Sequence, residues 1–209
     1  GLSDYYVPKY WADANPGFKT WEDLNNYKAE FATIESGGKG RLIGCPIPGW
    51  NCYDQVRLDM LGIDFVADEL GSEAAALAEA QGAYKRQEAF LVYLWEPHWA
   101  MGAMDLVPVK LPANKPCDTW TEEKGYKDCG LGYWPATGWS EDITFNSGRP
   151  AFWNDPENAK AKAMMGNMNL GNSHQSAMLA EVNSSGRSVQ DVVQEWKDSH
   201  KEVWMAWLN

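Results

Sequence analysis

Two tryptophans, each in a loop stiffened by proline, carry the most specific chemical signal in this 209-residue chain. The first lies in Arg41-Leu42-Ile43-Gly44-Cys45-Pro46-Ile47-Pro48-Gly49-Trp50-Asn51-Cys52-Tyr53. Leu42-Ile43 ends a short apolar run, two prolines and a glycine follow, and Trp50 sits just before Cys52. The second ends the apolar run Ala89-Phe90-Leu91-Val92-Tyr93-Leu94 and opens Trp95-Glu96-Pro97-His98-Trp99. An indole face attracts a cation. Beyond Cys52, Val56, Leu58, Met60 and Leu61 alternate with Asp54, Arg57 and Asp59, the pattern of an amphipathic helix with Asn51 at its N-cap. A helix start presents free N–H groups that suit a carboxylate or phosphate. The one small loop that delivers Trp50 to a helix start therefore offers a seat for each end of a zwitterion, and Trp95 is a second indole in a proline-stiffened loop. His98 is a further candidate for the anionic end. The plain alternatives are that Trp50 packs on a Cys45–Cys52 bridge, that Trp95 is a strand-end core residue, and that His98 is structural or on the surface.

The elements that must position these residues alternate between strand and helix. Arg41–Gly44, 63–67, 89–94, 106–111 and 141–145 are expected strands. Helices are expected over 21–31 behind a Thr20/Asp23 cap, after Cys52 to about Gly62, and from Ser72 to about Gln87. Three more follow from Asp155-Pro156 to about Asn169, over 172–182, and from Ser188 to the end. Residues 1–19 show no period and read as an entry segment, and 112–140 as a long irregular stretch. Alternation of this kind predicts an α/β fold with a largely parallel sheet flanked by helices. In such sheets ligands sit beyond the carboxyl ends of the strands, where Trp50 and Trp95 both fall.

Composition narrows the rest. Eighteen basic against 29 acidic residues leave a net charge of -11, which argues against nucleic acid and anionic membrane surfaces. No apolar run approaches bilayer length. The four cysteines fall in two close pairs, Cys45 with Cys52 and Cys117 with Cys129, neither with CxxC spacing, and there are only three histidines. Two local disulfides in an oxidising compartment fit better than a zinc site; the alternative is four reduced, buried cysteines. There is no nucleophile elbow, phosphate loop or dinucleotide fingerprint, and no metal or cofactor is implied. Trp196, Trp204 and Trp207 fall at helical spacing and read as a packing face.

The loop Gly44–Cys52 resembles the disulfide-bridged, tryptophan-bearing loop of glycine betaine-binding proteins of ABC transporters. The run from Phe90 to Trp99 is similar to their second signature, an apolar strand followed by Trp, any residue, Pro, an aromatic or His, and Trp. The order of parts also agrees over nearly the whole chain, although the central loop is one residue longer than the usual form. The resemblance implies a periplasmic-binding-protein-like lobe that catalyses nothing. It would bind a quaternary amine or sulfonium osmolyte in a tryptophan box containing Trp50 and Trp95 and seat a carboxylate on the N–H groups of Asn51 and Cys52. It also implies a periplasmic or other extracytoplasmic location and an ABC permease as partner. Residues 1–209 are then expected to be one α/β substrate-binding domain, a lobe of a two-lobed protein whose preceding lobe this chain lacks. Two rivals remain at this point: a secreted glycan-binding module with exposed tryptophans, and a hydrolase using Glu96 or Asp155 as acid.

Overall fold

The computed structural model describes residues 1–46, 50, 52–117 and 131–208. In chain order its elements are β1 (Leu2–Pro8), α1 (Lys9–Ala14), α2 (Leu24–Tyr27), β2 (Gly40–Ile43), α3 (Asp54–Leu61), β3 (Phe65–Asp68), α4 (Glu73–Lys85), β4 (Leu91–Glu96), α5 (Trp99–Ala103) and β5 (Leu106–Pro108). There follow α6 (Pro150–Asn154), α7 (Ala159–Asn167), α8 (Asn172–Ser185), α9 (Val189–Ser199) and α10 (Lys201–Ala206), with short 3-10 turns beside α2 and α7. The described chain divides into two compact units. One comprises Leu2–Trp95 with Met104–Glu141. The other comprises Gly1, Glu96–Ala103 and Asp142–Asn209.

The first unit is built on the sheet, in the order β3-β2-β4-β1-β5. β2 runs parallel to both β3 and β4, with Leu42 opposite Leu91 and Ile43 opposite Val92, while β1 and β5 are antiparallel. The α/β expectation therefore holds, with an antiparallel edge added. Leu91, Val92, Tyr93 and Leu94 are all buried, as expected of a strand covered on both faces. The strand that sequence reading passed over is β1: Tyr5, Tyr6 and Val7 are buried in succession. Such a run shows no alternation, and the aromatic, proline-bounded composition of 1–19 disguised it. Tyr5, Leu42, Leu58, Phe65, Leu91 and Val109 form the centre of the core.

Caps fall largely where expected. Thr20 and Asp23 make a capping box, but the helix expected over 21–31 is broken into Trp21–Asp23, α2 and Lys28–Glu30. Ser72 caps α4 by accepting from the Ala75 N–H. The helix after the central loop begins at Asp54, with Tyr53 in the left-handed conformation at its cap position, two residues beyond the Asn51 cap expected.

The second unit is helical. Gly102 is the reason α5 and α8 approach closely: a Cβ there would lie 2.7 Å from the Ala180 Cβ and 2.8 Å from the Ser176 carbonyl oxygen. Asp155 caps the turn before α7, and Ser188 caps α9 by accepting from the Asp191 N–H. The single last helix expected is two, separated at His200. The strand expected over 141–145 does not form, and Ile143 and Phe145 are exposed. Trp196 and Trp207 stack with ring centroids 6.2 Å apart, which bears out part of the expected packing face. No described helix is long and apolar enough to cross a membrane.

Candidate functional site

Strand β2 delivers the chain into the cysteine loop, and Cys45 and Cys52 are joined in a disulfide with Cα atoms 6.0 Å apart. The second expected pair, Cys117–Cys129, falls partly outside the described residues, as does Asn51. Trp50 and Trp95 come together: their ring centroids are 4.6 Å apart and the planes tilt by 34°. Trp95 is half-buried at the end of β4, whereas Trp50 is 41% exposed. A tetramethylated nitrogen held between two ring faces needs centroids roughly 9–10 Å apart. At the observed spacing the two indoles fill the space between themselves, and Trp50 is the more exposed of the two.

Behind the pair lies an aromatic row. Tyr93 packs 5.9 Å from Trp95 and 5.1 Å from Trp139, and Trp139 meets Tyr5 edge-on at 5.2 Å. Beyond Trp139 is a group that sequence reading placed on a polar helix face. Asp54 and Arg57, an i,i+3 pair on α3, are both fully buried. Asp54 accepts from the Tyr5 hydroxyl through Oδ1 and from the Cys45 N–H through Oδ2, each at 2.7 Å. Arg57 donates through Nη1 to the Cys52 carbonyl at 3.0 Å and through Nε to the Thr137 carbonyl at 2.8 Å. Its Cζ lies 3.7 Å from the Trp139 ring centroid and 4.7 Å from that of Trp134. Burial raises the Asp54 carboxyl above its ordinary range despite its hydrogen bonds and Arg57, and it pushes the Tyr5 hydroxyl well up. The sequence signal available for this pair was slight: opposite charges three apart on a helix usually face water.

His98 belongs to the helical unit. It is buried, its Nδ1 accepts from the Ala100 N–H at 3.0 Å, and its own N–H donates to Ser176 Oγ at 3.1 Å. One ring nitrogen is thus committed to the start of α5. Among the described residues no three His, Cys, Asp or Glu side chains gather as a metal site.

The sheet, with β2 parallel to β3 and β4, thus carries Trp95 at the end of β4 and Trp50 in the loop that follows β2. The lactococcal OpuAC structure, closed and complexed with glycine betaine, superposes with a TM-score of 0.54 at 16% identity, covering 100% of this chain and 67% of that one. A glycine betaine/L-proline-binding ProX structure from Borrelia burgdorferi gives 0.52 at 18% identity, covering 100% and 66%. Residues 3–199 match the OpuAC family, the substrate-binding domain of ABC-type glycine betaine transport systems, and the chain belongs to that family. It is a family of solute-binding domains, not of enzymes. A trimethylamine N-oxide-binding protein of Pelagibacter ubique is 28% identical over 211 residues, and the match covers 97% of this chain and 63% of that protein. A glycine betaine/proline betaine-binding periplasmic protein of Escherichia coli is 24% identical over 196 residues, covering 87% and 56%. The chain thus spans about three-fifths of the length of these relatives.

Proposed function

We propose that this chain is the tryptophan-bearing lobe of an extracytoplasmic substrate-binding protein, which takes a small methylated amine or sulfonium compound and delivers it to an ABC permease. The observation that carries the reading is the meeting of Trp50 and Trp95 at 4.6 Å beside the Cys45–Cys52 loop, in a chain of this family. A quaternary ammonium donates no N–H hydrogen bond. Indole faces supply negative potential and cover its methyl groups at little desolvation cost. A carboxylate partner would have to be dehydrated first. Each desolvated cation–π contact is worth on the order of 1–2 kcal/mol.

Glycine betaine, choline, trimethylamine N-oxide and dimethylsulfoniopropionate all carry a methylated cationic centre of the kind an indole face attracts. The N–H groups of Asn51 and Cys52 stand as the proposed seat for a carboxylate where the ligand has one. The relatives' names support the ligand class, and the disulfide suits an oxidising, extracytoplasmic setting. Isothermal titration of the protein with these four compounds, and with a neutral sugar as control, tests the reading. Binding of at least one methylated cation is expected; heat with the sugar alone would instead establish a glycan-binding module.

A further inference from the structure

We propose that Asp54 and Arg57 are positioning residues that set the Trp50–Trp95 pair before a ligand arrives; the ligand side of this inference rests on the function proposed above. Burying two opposite charges completely carries a large loss of solvation, and apolar residues of similar volume often serve stability as well. The partners of this ion pair give its presence a second account. Asp54 holds the backbone N–H of Cys45 and Arg57 holds the carbonyl of Cys52. These are the two cysteines of the bridge, so the tryptophan loop is clamped at both ends twice, once covalently and once by ionic hydrogen bonds. Gly44 makes room for this, since a Cβ there would lie 3.1 Å from Asp54 Oδ2.

Arg57 also fixes the other side of the site. Its Nε holds the Thr137 carbonyl, and its guanidinium lies flat enough on Trp139 to bring Cζ within 3.7 Å of the ring centroid. Trp139 supports Tyr93, and Tyr93 supports Trp95. One guanidinium therefore restrains the loop bearing Trp50 and the aromatic row behind Trp95. Among the described residues its Nη2 has no hydrogen-bond partner, although it is buried. An orphaned donor in the interior is costly. A lysine in its place would have no planar fork to bond both carbonyls while stacking on an indole.

The test compares the wild-type protein with Arg57→Lys, Asp54→Asn and Tyr5→Phe, each with and without Trp50→Phe. Two indoles 4.6 Å apart couple their electronic transitions, so the circular dichroism lost on Trp50→Phe reports the pair itself. At a temperature where every protein keeps its far-ultraviolet helix signal, Arg57→Lys and Asp54→Asn should each lose at least half of that pair signal. Their affinity for whichever of choline, glycine betaine or trimethylamine N-oxide the wild type binds should fall about tenfold, the cost of lost preorganisation. Lowered melting temperatures with an unchanged pair signal and unchanged affinity would overturn the proposal and leave the ion pair a structural feature only. Should both charge variants fail to fold, Tyr5→Phe decides. It removes only the hydroxyl shared by Asp54 and Arg57, and it should reduce the pair signal in a folded protein; an undiminished signal refutes the positioning role. If the wild type binds none of the three compounds, the ligand reading fails while the pair signal still judges the positioning.

Discussion

At the scale of single residues, Asp4 sets a pH dependence that the formal charge conceals. Its carboxyl is raised from an ordinary 3.8 to about 7, chiefly by burial, against the lowering effects of the Tyr5 N–H and Arg57. The folded state therefore holds a proton at Asp4 more tightly than the unfolded chain does. Its stabilising contribution is full below about pH 4, is lost as pH rises towards 7, and changes little above that. Asp54 is raised by burial too and acts in the same direction. Asp4→Asn should flatten the fall in melting temperature between pH 4 and 7 and melt higher than wild type at pH 8. Parallel pH profiles for the two proteins would show that Asp4 is not the group responsible. Residue types showed which tryptophans to suspect, because proline constrains both loops and a pair of cysteines flanks the first. They did not reveal Asp54 and Arg57. A helix with Val56, Leu58 and Leu61 on one stripe suggested that the charges faced water, whereas the inner face takes Asp54, Arg57 and Leu58 together.

At the scale of elements, caps and turn residues located most helices to within a few positions, because a cap is a local hydrogen bond that the sequence carries whole. Ser72, Asp155 and Ser188 each bond as their positions predict. Strands depend on partners far away in the chain, and there local reading failed in both directions. β1 was missed because its buried aromatic run has no period. The 141–145 segment has strand-like residues, but its backbone pairing is confined to Asp142, which exchanges hydrogen bonds with Gly1, and no strand forms there. The α5–α8 contact yields a sharp prediction at this scale. Gly102→Ala forces a methyl against the Ala180 Cβ and the Ser176 carbonyl, and overpacking of this kind typically costs about 1–3 kcal/mol. A lower urea midpoint with an unchanged slope is expected; an unchanged midpoint would mean that the helices part without cost.

At the scale of the whole molecule, family membership came from two short motifs, and their strength lay in order and spacing rather than in any one residue. What the motifs could not convey was how Trp50 and Trp95 face each other. A box suggests a space between the rings, yet the indoles lie against one another at 4.6 Å, with Trp50 keeping an exposed surface. On the function proposed above, a cation would be taken on that surface, or the rings would part to admit it. Either course makes both indoles matter to affinity, and neither gives the C-terminal Trp204 a role. The most direct measurement is the affinity of the ligand identified by titration for Trp50→Ala, Trp95→Ala and Trp204→Ala, each confirmed folded. Loss of about tenfold or more is expected for the first two, through a cation–π contact or through the ring that supports it, with no change in ligand selectivity for Trp204→Ala. Wild-type affinity in both Trp50→Ala and Trp95→Ala would contradict the account.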